Sequence, residues 1–355
     1  MISEVDRFLV FMSMQEISNK KQEMLLDELE SFSISKILEN KEGILSKDEV
    51  LKLAKNHDSR ALDSAIENMQ KSGIQIITIF SEKYPKSLAD LPEKPLILYA
   101  KGDLSLLDET CIGIVGTRMP SNYGKLVTEK FAKKLAESGF VIVSGLCYGV
   151  DEIAHKGALE AGGKTVAIIG SGFNHIYPAT NGALAKEIAD KGLLLSEYPP
   201  SFVAKKYTFP RRNRIVAGVC KGILITEAGF KSGTIHTKEF ALEYGRDVFA
   251  VPGNVTNSKS ELTNHIIKTA QAEVALSPDD IIEFYGFKTK AKEKKVLALS
   301  FDEQKIIELL EDEERDFDYL AENSKIPVNI LNSCLTTLEI RGLIRKLPAQ
   351  TYALI

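Results

Sequence analysis

Residues 208–234 read TFPRRNRIVAGVCKGILITEAGFKSGT, and this stretch carries the clearest signals for both fold and binding chemistry. Its first half holds Arg211, Arg212 and Arg214, which follow a proline and lead into an apolar run that predicts a short helix. Guanidinium groups at a loop-to-helix entry favour an anion site, because the free backbone amides at the start of the helix also attract anions. The alternative interpretation is a solvated patch of arginines.

The second half of the stretch predicts a buried strand at residues 222–226, followed by a turn at residues 228–233. The turn runs into Ser-Gly-Thr at residues 232–234, which opens a further helix. Backbone amides of such a turn can face a phosphate, although the glycines could also serve only to shape the turn. The cationic helix entry and the glycine turn together favour an anion site.

The composition predicts an ordinary globular protein. A chain of 355 residues with 44% hydrophobic residues can form two or three domains. We expect it to be cytoplasmic and without a membrane segment, because it has no run of about 18 uncharged apolar residues and no signal-peptide layout. The four cysteines are far apart and the histidines are not clustered, so neither a metal site nor a disulfide framework is expected.

The charge of the chain is unevenly distributed. The formal net charge is −4, yet residues 201–246 carry nine Lys or Arg against three Glu. Residues 301–355 carry eleven acidic against six basic residues. The asymmetry places an anionic partner on the middle of the chain and not on its end.

The middle of the chain alternates short apolar runs with helical patterns. This alternation predicts a parallel, doubly wound α/β sheet, whose ligands bind at the carboxyl ends of the strands. Strands at residues 74–80 and 95–102 precede it. The strands of the alternating part are expected near residues 112–115, 140–144, 165–169, 193–196, 222–226 and 247–251.

Four segments are expected along the chain. A helical domain spans residues 1–72, the α/β domain spans residues 73–285, and a basic linker spans residues 286–300. Residues 301–355 show a winged-helix pattern, and their negative charge favours protein contact or a stabilising role over DNA binding. The pattern comprises helices at residues 301–310, 317–324 and 329–341 and strands at residues 343–346 and 351–354.

The loops that follow the predicted strands carry the candidate chemistry. The first loop places Gly116 and Arg118 where backbone and charge can approach an anion. It lacks the dinucleotide fingerprint, and the second strand ends in Ser144-Gly145 where a ribose-binding carboxylate should lie, which argues against a nicotinamide enzyme. The third strand leads to Tyr177, an aromatic face on which a base can stack.

Asp151 and His155 lie four residues apart on a predicted helix and could form an acid/base pair. The simpler interpretation has Asp151 capping the helix and His155 packing beside it. The sequence AGGKT at residues 161–165 does not form a P-loop, because the first glycine is missing and the segment precedes a strand.

Taken in order, these loops resemble the DNA-processing protein family DprA, also called Smf, over residues 84–276. The similarity is carried by GIVGTR at residues 113–118, VSG at 143–145, GVD at 149–151, GSG at 170–172, SEYP at 196–199 and RNRIVAG at 212–218. Further similar segments are HKGAL at 155–159, FP at 209–210, EA at 227–228, SG at 232–233 and VFAVPGN at 248–254.

The resemblance implies an extended Rossmann-like fold, a homodimer, and sequence-independent binding of single-stranded DNA that is passed to the RecA recombinase in natural transformation. It assigns phosphate contacts to Arg118, Arg212 and Arg214. Neither a catalytic residue nor a cofactor is expected. The full set of expected nucleic-acid contacts is Gly116, Thr117, Arg118, Ser144, Gly145, Gly170, Gly172, Tyr177, Asn181, Arg212, Asn213, Arg214, Lys231, Ser232, Gly233 and Thr234.

The sequence departs from the family pattern mainly after Ser232. Thr237-Lys238-Glu239 stands where a Thr-Ala-Arg run is usual, and Asn174 stands where Asp is common. Two rival functions stay open. Residues 228–234 partly resemble the loop of nucleoside-monophosphate phosphoribohydrolases, although Glu239 lies two places too far along for their carboxylate. The acidic C-terminal domain could instead make the protein an interaction scaffold.

Overall fold

The chain divides into two units, residues 1–289 and residues 290–355. The computed structural model describes residues 3–28, 38, 43–287, 299–311, 313–347 and 350–354. Most of the predicted basic linker, residues 288–298, therefore lies outside the described residues.

The first unit contains a nine-stranded sheet in the order β1-β2-β6-β5-β4-β3-β7-β8-β9. β1 and β2 are antiparallel, β2 is antiparallel to β6, and the remaining pairs are parallel. The α/β class predicted from the sequence is confirmed. The strands are β1 Gln75–Thr78, β2 Ile97–Gly102, β3 Cys111–Val115, β4 Val141–Ser144, β5 Thr165–Ile169, β6 Leu193–Ser196, β7 Gly222–Ile225, β8 Asp247–Ala250 and β9 Glu273–Val274.

Helices connect the parallel strands and cover both faces of the sheet. In β3, Cys111 and Val115 pack in one core cluster, while Ile112 and Ile114 pack in another with Phe131. Successive side chains of a strand point to opposite faces, so a continuous apolar run is what a doubly covered strand requires. The helices here are Lys86–Ala89, Asn122–Glu137, Val150–Glu160, Gly182–Lys191, Thr208–Val219, Thr234–Glu243, Glu261–Lys268 and Pro278–Phe284.

The strand order creates a crevice beside β3. β3 pairs with β4 on one side and with β7 on the other. The chain runs from β3 to β4 on one side and reaches β7, on the other side, much later. The loops that follow β3 and β7 therefore diverge at the carboxyl ends of these two strands. Such a point of reversal is where open α/β sheets bind ligands.

The N-terminal helices pack onto the antiparallel end of the sheet. They are Glu4–Met14, Asn19–Glu28, Lys47–Asn56 and Ser59–Lys71. Their core cluster includes Leu96, Ile97 and Tyr99 from β2 and the residue just before it, and the Tyr99 hydroxyl donates to Ser13 Oγ at 3.2 Å. The helical segment expected at residues 1–72 thus shares its core with the sheet.

The second unit has the helix and strand order of a winged helix, as predicted. Its helices are Phe301–Leu309, Phe317–Ser324 and Val328–Ile340. Its three strands, β10 Arg315–Asp316, β11 Ile344–Leu347 and β12 Thr351–Leu354, form an antiparallel sheet in the order β10-β12-β11. Ile306, Leu331 and Leu335 lie in its core.

Candidate nucleic-acid interface

A cleft of about 1110 Å³ lies at the carboxyl ends of the strands in the first unit. The loops after β3, β4 and β7 and the start of the Thr208–Val219 helix form its walls. Eleven of the residues expected from the sequence line it: Gly116, Thr117, Arg118, Gly145, Tyr177, Arg212, Asn213, Lys231, Ser232, Gly233 and Thr234.

The lining of the cleft is cationic. Its basic residues are Arg118, Lys206, Arg212, Lys231 and Lys259, against the two carboxyl groups of Asp151 and Glu261. This local excess stands against a formal net charge of −4 for the whole chain. The cleft therefore lies where the charge asymmetry of the sequence predicts that an anion binds.

Arg118 lies beside two aromatic rings. Its guanidinium carbon is 5.6 Å from the centre of the Phe209 ring, and the centres of Phe209 and Tyr177 are 5.3 Å apart. Tyr177 is 48% exposed. A cation and two aromatic faces in one wall can take a phosphate and a neighbouring base together.

The loop after β7 places small polar residues at the start of the Thr234–Glu243 helix. Ser232 Oγ is 2.8 Å from Thr234 Oγ1, and the Thr234 amide donates to Ser232 Oγ at 3.3 Å. Asn213 Nδ2 donates to the Gly233 carbonyl at 3.4 Å, which joins this loop to the arginine-bearing helix. The two halves of the opening stretch thus meet across the cleft.

Arg212 lies in the floor of the cleft and is only 3% exposed. Its Nη1 donates to the carbonyl oxygens of Gly145 and Ile168, which lie next to the ends of β4 and β5. A Cβ atom at position 145 would lie 2.3 Å from that nitrogen, so a larger residue there would displace the Arg212 guanidinium. Arg212 therefore braces the floor and contributes its charge from beneath the surface.

Arg214 is 1% exposed and does not line the cleft. Its Nη2 forms an ion pair with the buried carboxylate of Glu197. Two positions along a helix differ by about 200°, so Arg212 and Arg214 point to different sides of the helix. The geometry does not support the direct phosphate contact expected of Arg214.

Four other residues expected in the site also lie outside the cleft lining: Ser144, Gly170, Gly172 and Asn181. Ser144 Oγ donates to the Ile114 carbonyl at 2.7 Å, and Asn181 Nδ2 donates to the Leu146 carbonyl at 3.1 Å. These side chains fasten neighbouring strands and loops.

Asp151 and His155 are both buried. Asp151 Oδ2 accepts from the Cys147 amide at 3.2 Å, and burial raises the pKa of this carboxyl against the opposing effect of Arg212. His155 Nδ1 is 2.7 Å from Thr165 Oγ1, and burial, aided by Arg212, lowers the pKa of His155 to about 3. The residue at the N-cap position is Gly149, so Asp151 holds the preceding turn instead of capping the helix.

Glu227 was not singled out as a site residue from the sequence, yet it joins three loops. Its carboxylate accepts from the Ser121 amide at 2.7 Å, from Ser121 Oγ at 2.6 Å and from Asn257 Nδ2 at 3.3 Å. Its carbonyl accepts from the Thr117 amide at 2.8 Å. Glu227 therefore fixes the loop that bears Arg118, and the signal for it was a carboxylate directly after a buried apolar strand.

Within the described parts of the chain, His, Cys, Asp and Glu side chains form no group of three or more that could hold a metal ion. The same residues include no helix with the length and apolar character needed to cross a membrane.

A doubly wound, mostly parallel sheet with a cationic, aromatic-lined cleft at its point of reversal defines an extended Rossmann-like α/β protein. Residues 75–286 match the family model of DNA recombination-mediator protein A, and residues 290–350 match that of the DprA winged helix domain. The chain belongs to the DprA/Smf family.

Relatives of known name agree with this assignment. The chain is 41% identical over 215 residues to the DNA processing protein DprA of Bacillus subtilis, covering 60% of this chain and 72% of that protein. It is 34% identical over 301 residues to the protein Smf of Escherichia coli, covering 81% of this chain and 80% of that protein.

Two solved structures resemble the fold. DprA from Streptococcus pneumoniae aligns with a TM-score of 0.68 at 32% identity, covering 81% of this chain and 99% of that one. DNA processing protein A from Helicobacter pylori, whose structure concerns its binding of single-stranded DNA, aligns with a TM-score of 0.55 at 35% identity, covering 59% of this chain and 95% of that one.

Proposed function

We propose that this protein binds single-stranded DNA without sequence preference, in the cleft between the loops after β3 and β7. The observation that carries the proposal is the lining of that cleft, in which five basic residues stand beside Tyr177 and Phe209. A single strand exposes phosphates and unpaired bases together, and such a lining offers partners for both. A duplex hides its bases, so it would gain only the electrostatic contribution to binding.

Two further steps rest on family membership. We propose that the protein acts as a homodimer in the cytoplasm, and that it protects incoming single-stranded DNA and passes it to the RecA recombinase during natural transformation. The match to a recombination-mediator family supports this role. We assign it no catalytic step.

The test compares single-stranded with double-stranded DNA in gel shifts at two salt concentrations. We expect preferential binding of the single strand and weaker binding at the higher salt. Arg118→Ala should weaken binding at all sequences, and losing one phosphate contact should reduce the slope of log affinity against log salt by about 0.7. Equal affinity for duplex and single strand would contradict the proposal.

The matched control for Arg118→Ala is Lys130→Ala. Lys130 is exposed on the Asn122–Glu137 helix and does not line the cleft. The substitution removes one positive charge from the same unit, as Arg118→Ala does. The affinity for DNA and its dependence on salt should therefore stay at the values of the parent protein. Equal losses in both variants would mean that net charge, and not the cleft, controls binding.

The structure gives the phosphoribohydrolase alternative little support. Glu239 is the carboxylate nearest in sequence to the expected position. It is exposed and does not line the cleft, and its Oε2 lies 3.5 Å from His236 Nδ1. Incubation with nucleoside monophosphates should release no free base. If the parent protein releases free base and the Asp151→Asn variant does not, the enzymatic alternative would be restored.

A further inference from the structure

Phe230 is an exposed aromatic residue on the cleft wall that the proposed site has not used so far. It is 48% exposed and lies in the loop after β7, next to Lys231. Exposed apolar side chains are common on protein surfaces, but this ring lines a concave cationic cleft, where a bound ligand would cover it. Contact with the ring would therefore stabilise the binding of a ligand that has an apolar face.

The orientation of this ring is supported from the side. Its centre lies 5.2 Å from that of His265, with the two planes inclined by 67°. His265 belongs to the Glu261–Lys268 helix and does not itself line the cleft. An edge-on neighbour restricts the ring without covering both of its faces, which is the arrangement that a stacking surface needs.

Basic groups lie on the same wall. Lys231 follows Phe230 directly, and Lys259 comes from the loop before the Glu261–Lys268 helix; both line the cleft. A ring flanked by ammonium groups suits a ligand that alternates planar apolar groups with negative charges. A nucleic-acid strand has this alternation, with a base and a phosphate in each unit.

We propose that Phe230 is a second base-stacking platform, separate from the Tyr177 and Phe209 pair, so that one bound strand is held by its bases at both walls of the cleft. This inference rests on the proposed binding of single-stranded DNA and names a further residue of that site. The two platforms belong to different segments, the loop after β7 and the segments around residues 177 and 209. The cleft volume of about 1110 Å³ exceeds the range of about 300–1000 Å³ that is usual for a single small ligand.

The first experiment separates stacking from backbone contact. Phe230→Leu keeps an apolar side chain but removes the aromatic face. Binding of a labelled oligothymidylate and of an abasic oligonucleotide of equal length is measured by fluorescence anisotropy. We expect about fivefold or greater loss of affinity for oligothymidylate and unchanged affinity for the abasic strand.

The second experiment uses the absence of tryptophan from the sequence. Phe230→Trp introduces one tryptophan whose emission oligothymidylate should quench in step with binding, while the abasic strand should leave it unchanged. The matched control is Phe80→Trp, at a residue that is 55% exposed and does not line the cleft. Its emission should not respond to either strand.

Each other outcome overturns the proposal. Parent-like affinity of Phe230→Leu, or equal losses on both oligonucleotides, would show that the ring does not stack on a base. Quenching no larger than in the Phe80→Trp control would show the same. If the parent protein binds neither oligonucleotide, the proposed function fails and the platform fails with it, which distinguishes that result from the failure of the platform alone.

Discussion

At the scale of the residue, Arg212 and Arg214 show how the side of a helix separates two similar buried side chains. Arg212 bonds to main-chain carbonyls beneath the cleft, whereas Arg214 pairs with Glu197 on another side of the helix. Nε and Nη1 of Arg214 have no protein partner among the described residues. Its charge is therefore compensated mainly by Glu197, and the pair should act on stability more than on binding.

Arg214→Met should lower the free energy of unfolding by about 3–5 kcal/mol, because it leaves the Glu197 carboxylate buried without its main partner. Adding Glu197→Gln should restore part of the loss, since Gln is neutral and can still accept from Asn19, whose Nδ2 is 2.6 Å away. Urea unfolding measures both. A double variant no more stable than Arg214→Met would contradict this account, as would a folded Arg214→Met protein with greatly weakened DNA binding.

The buried His155 should make the protein sensitive to acid. Burial lowers its pKa from 6.5 to about 3. Between these values the unfolded chain binds a proton that the folded protein does not, so stability falls as pH falls from 6.5 toward 3. The contribution is at most about 1.4 kcal/mol per pH unit.

His155→Gln tests this dependence, because Gln can bond to Thr165 but does not titrate. Urea unfolding at several pH values below neutral should give a smaller decline in stability for the variant than for the parent. Parallel declines would show that other groups cause the acid sensitivity.

At the residue level, the sequence predicts a position in the cleft best where a loop directly follows a strand. Gly116, Thr117 and Arg118 line the cleft for this reason, because a loop at the carboxyl end of β3 faces the crevice. Phe209 lines the cleft but was not predicted to do so, since its place beside Tyr177, a residue remote in sequence, is set by the fold. Arg214 lies outside the cleft lining, because a cluster of charges in sequence does not show which side of the helix each member faces.

At the scale of the element, the loops that form the cleft are held by close backbone approaches. Gly149 begins the Val150–Glu160 helix with φ of +78°. A Cβ atom at this position would lie 2.5 Å from the Thr117 carbonyl oxygen and 2.7 Å from the Arg118 backbone. The start of this helix therefore fixes the loop that presents Arg118.

Gly149→Ala should destabilise the protein by about 1–3 kcal/mol through backbone strain. It should also weaken DNA binding, since the loop with Thr117 and Arg118 must move. Gly182→Ala is the matched control, because position 182 is helical and has nothing within 4 Å of an added Cβ. The control should be stabilised by about 0.4–1 kcal/mol, and parent-like DNA binding by Gly149→Ala would contradict the account.

The parallel strands were predictable because each is a continuous apolar run between helical patterns. β9 was not predicted, since Glu273 and Val274 are both exposed and form no such run. The antiparallel direction of β2 was also beyond the sequence pattern, because a strand buried on both faces reads the same in either direction.

At the scale of the whole molecule, the cleft lies entirely within residues 1–289. A protein truncated after residue 289 should keep its affinity for single-stranded DNA within about twofold, since it keeps every described cationic group of the cleft. Residues 301–355 carry eleven acidic against six basic residues, so their removal should not weaken binding at low salt. Gel shifts of the truncated and full proteins test this, and a loss of tenfold or more would place major contacts in the second unit.

The position of β2 in the sheet affects how the chain can fold during synthesis. Tyr99 in β2 pairs with Ser196 in β6, and the same strand supplies core residues to the N-terminal helices. A ribosome therefore releases those helices and β2 roughly 100 residues before the partner strand emerges. Until then one edge of β2 is an open template for incorrect pairing. The amino-terminal helices are thus translated well before β6, the strand that completes the pairing of β2 beneath them.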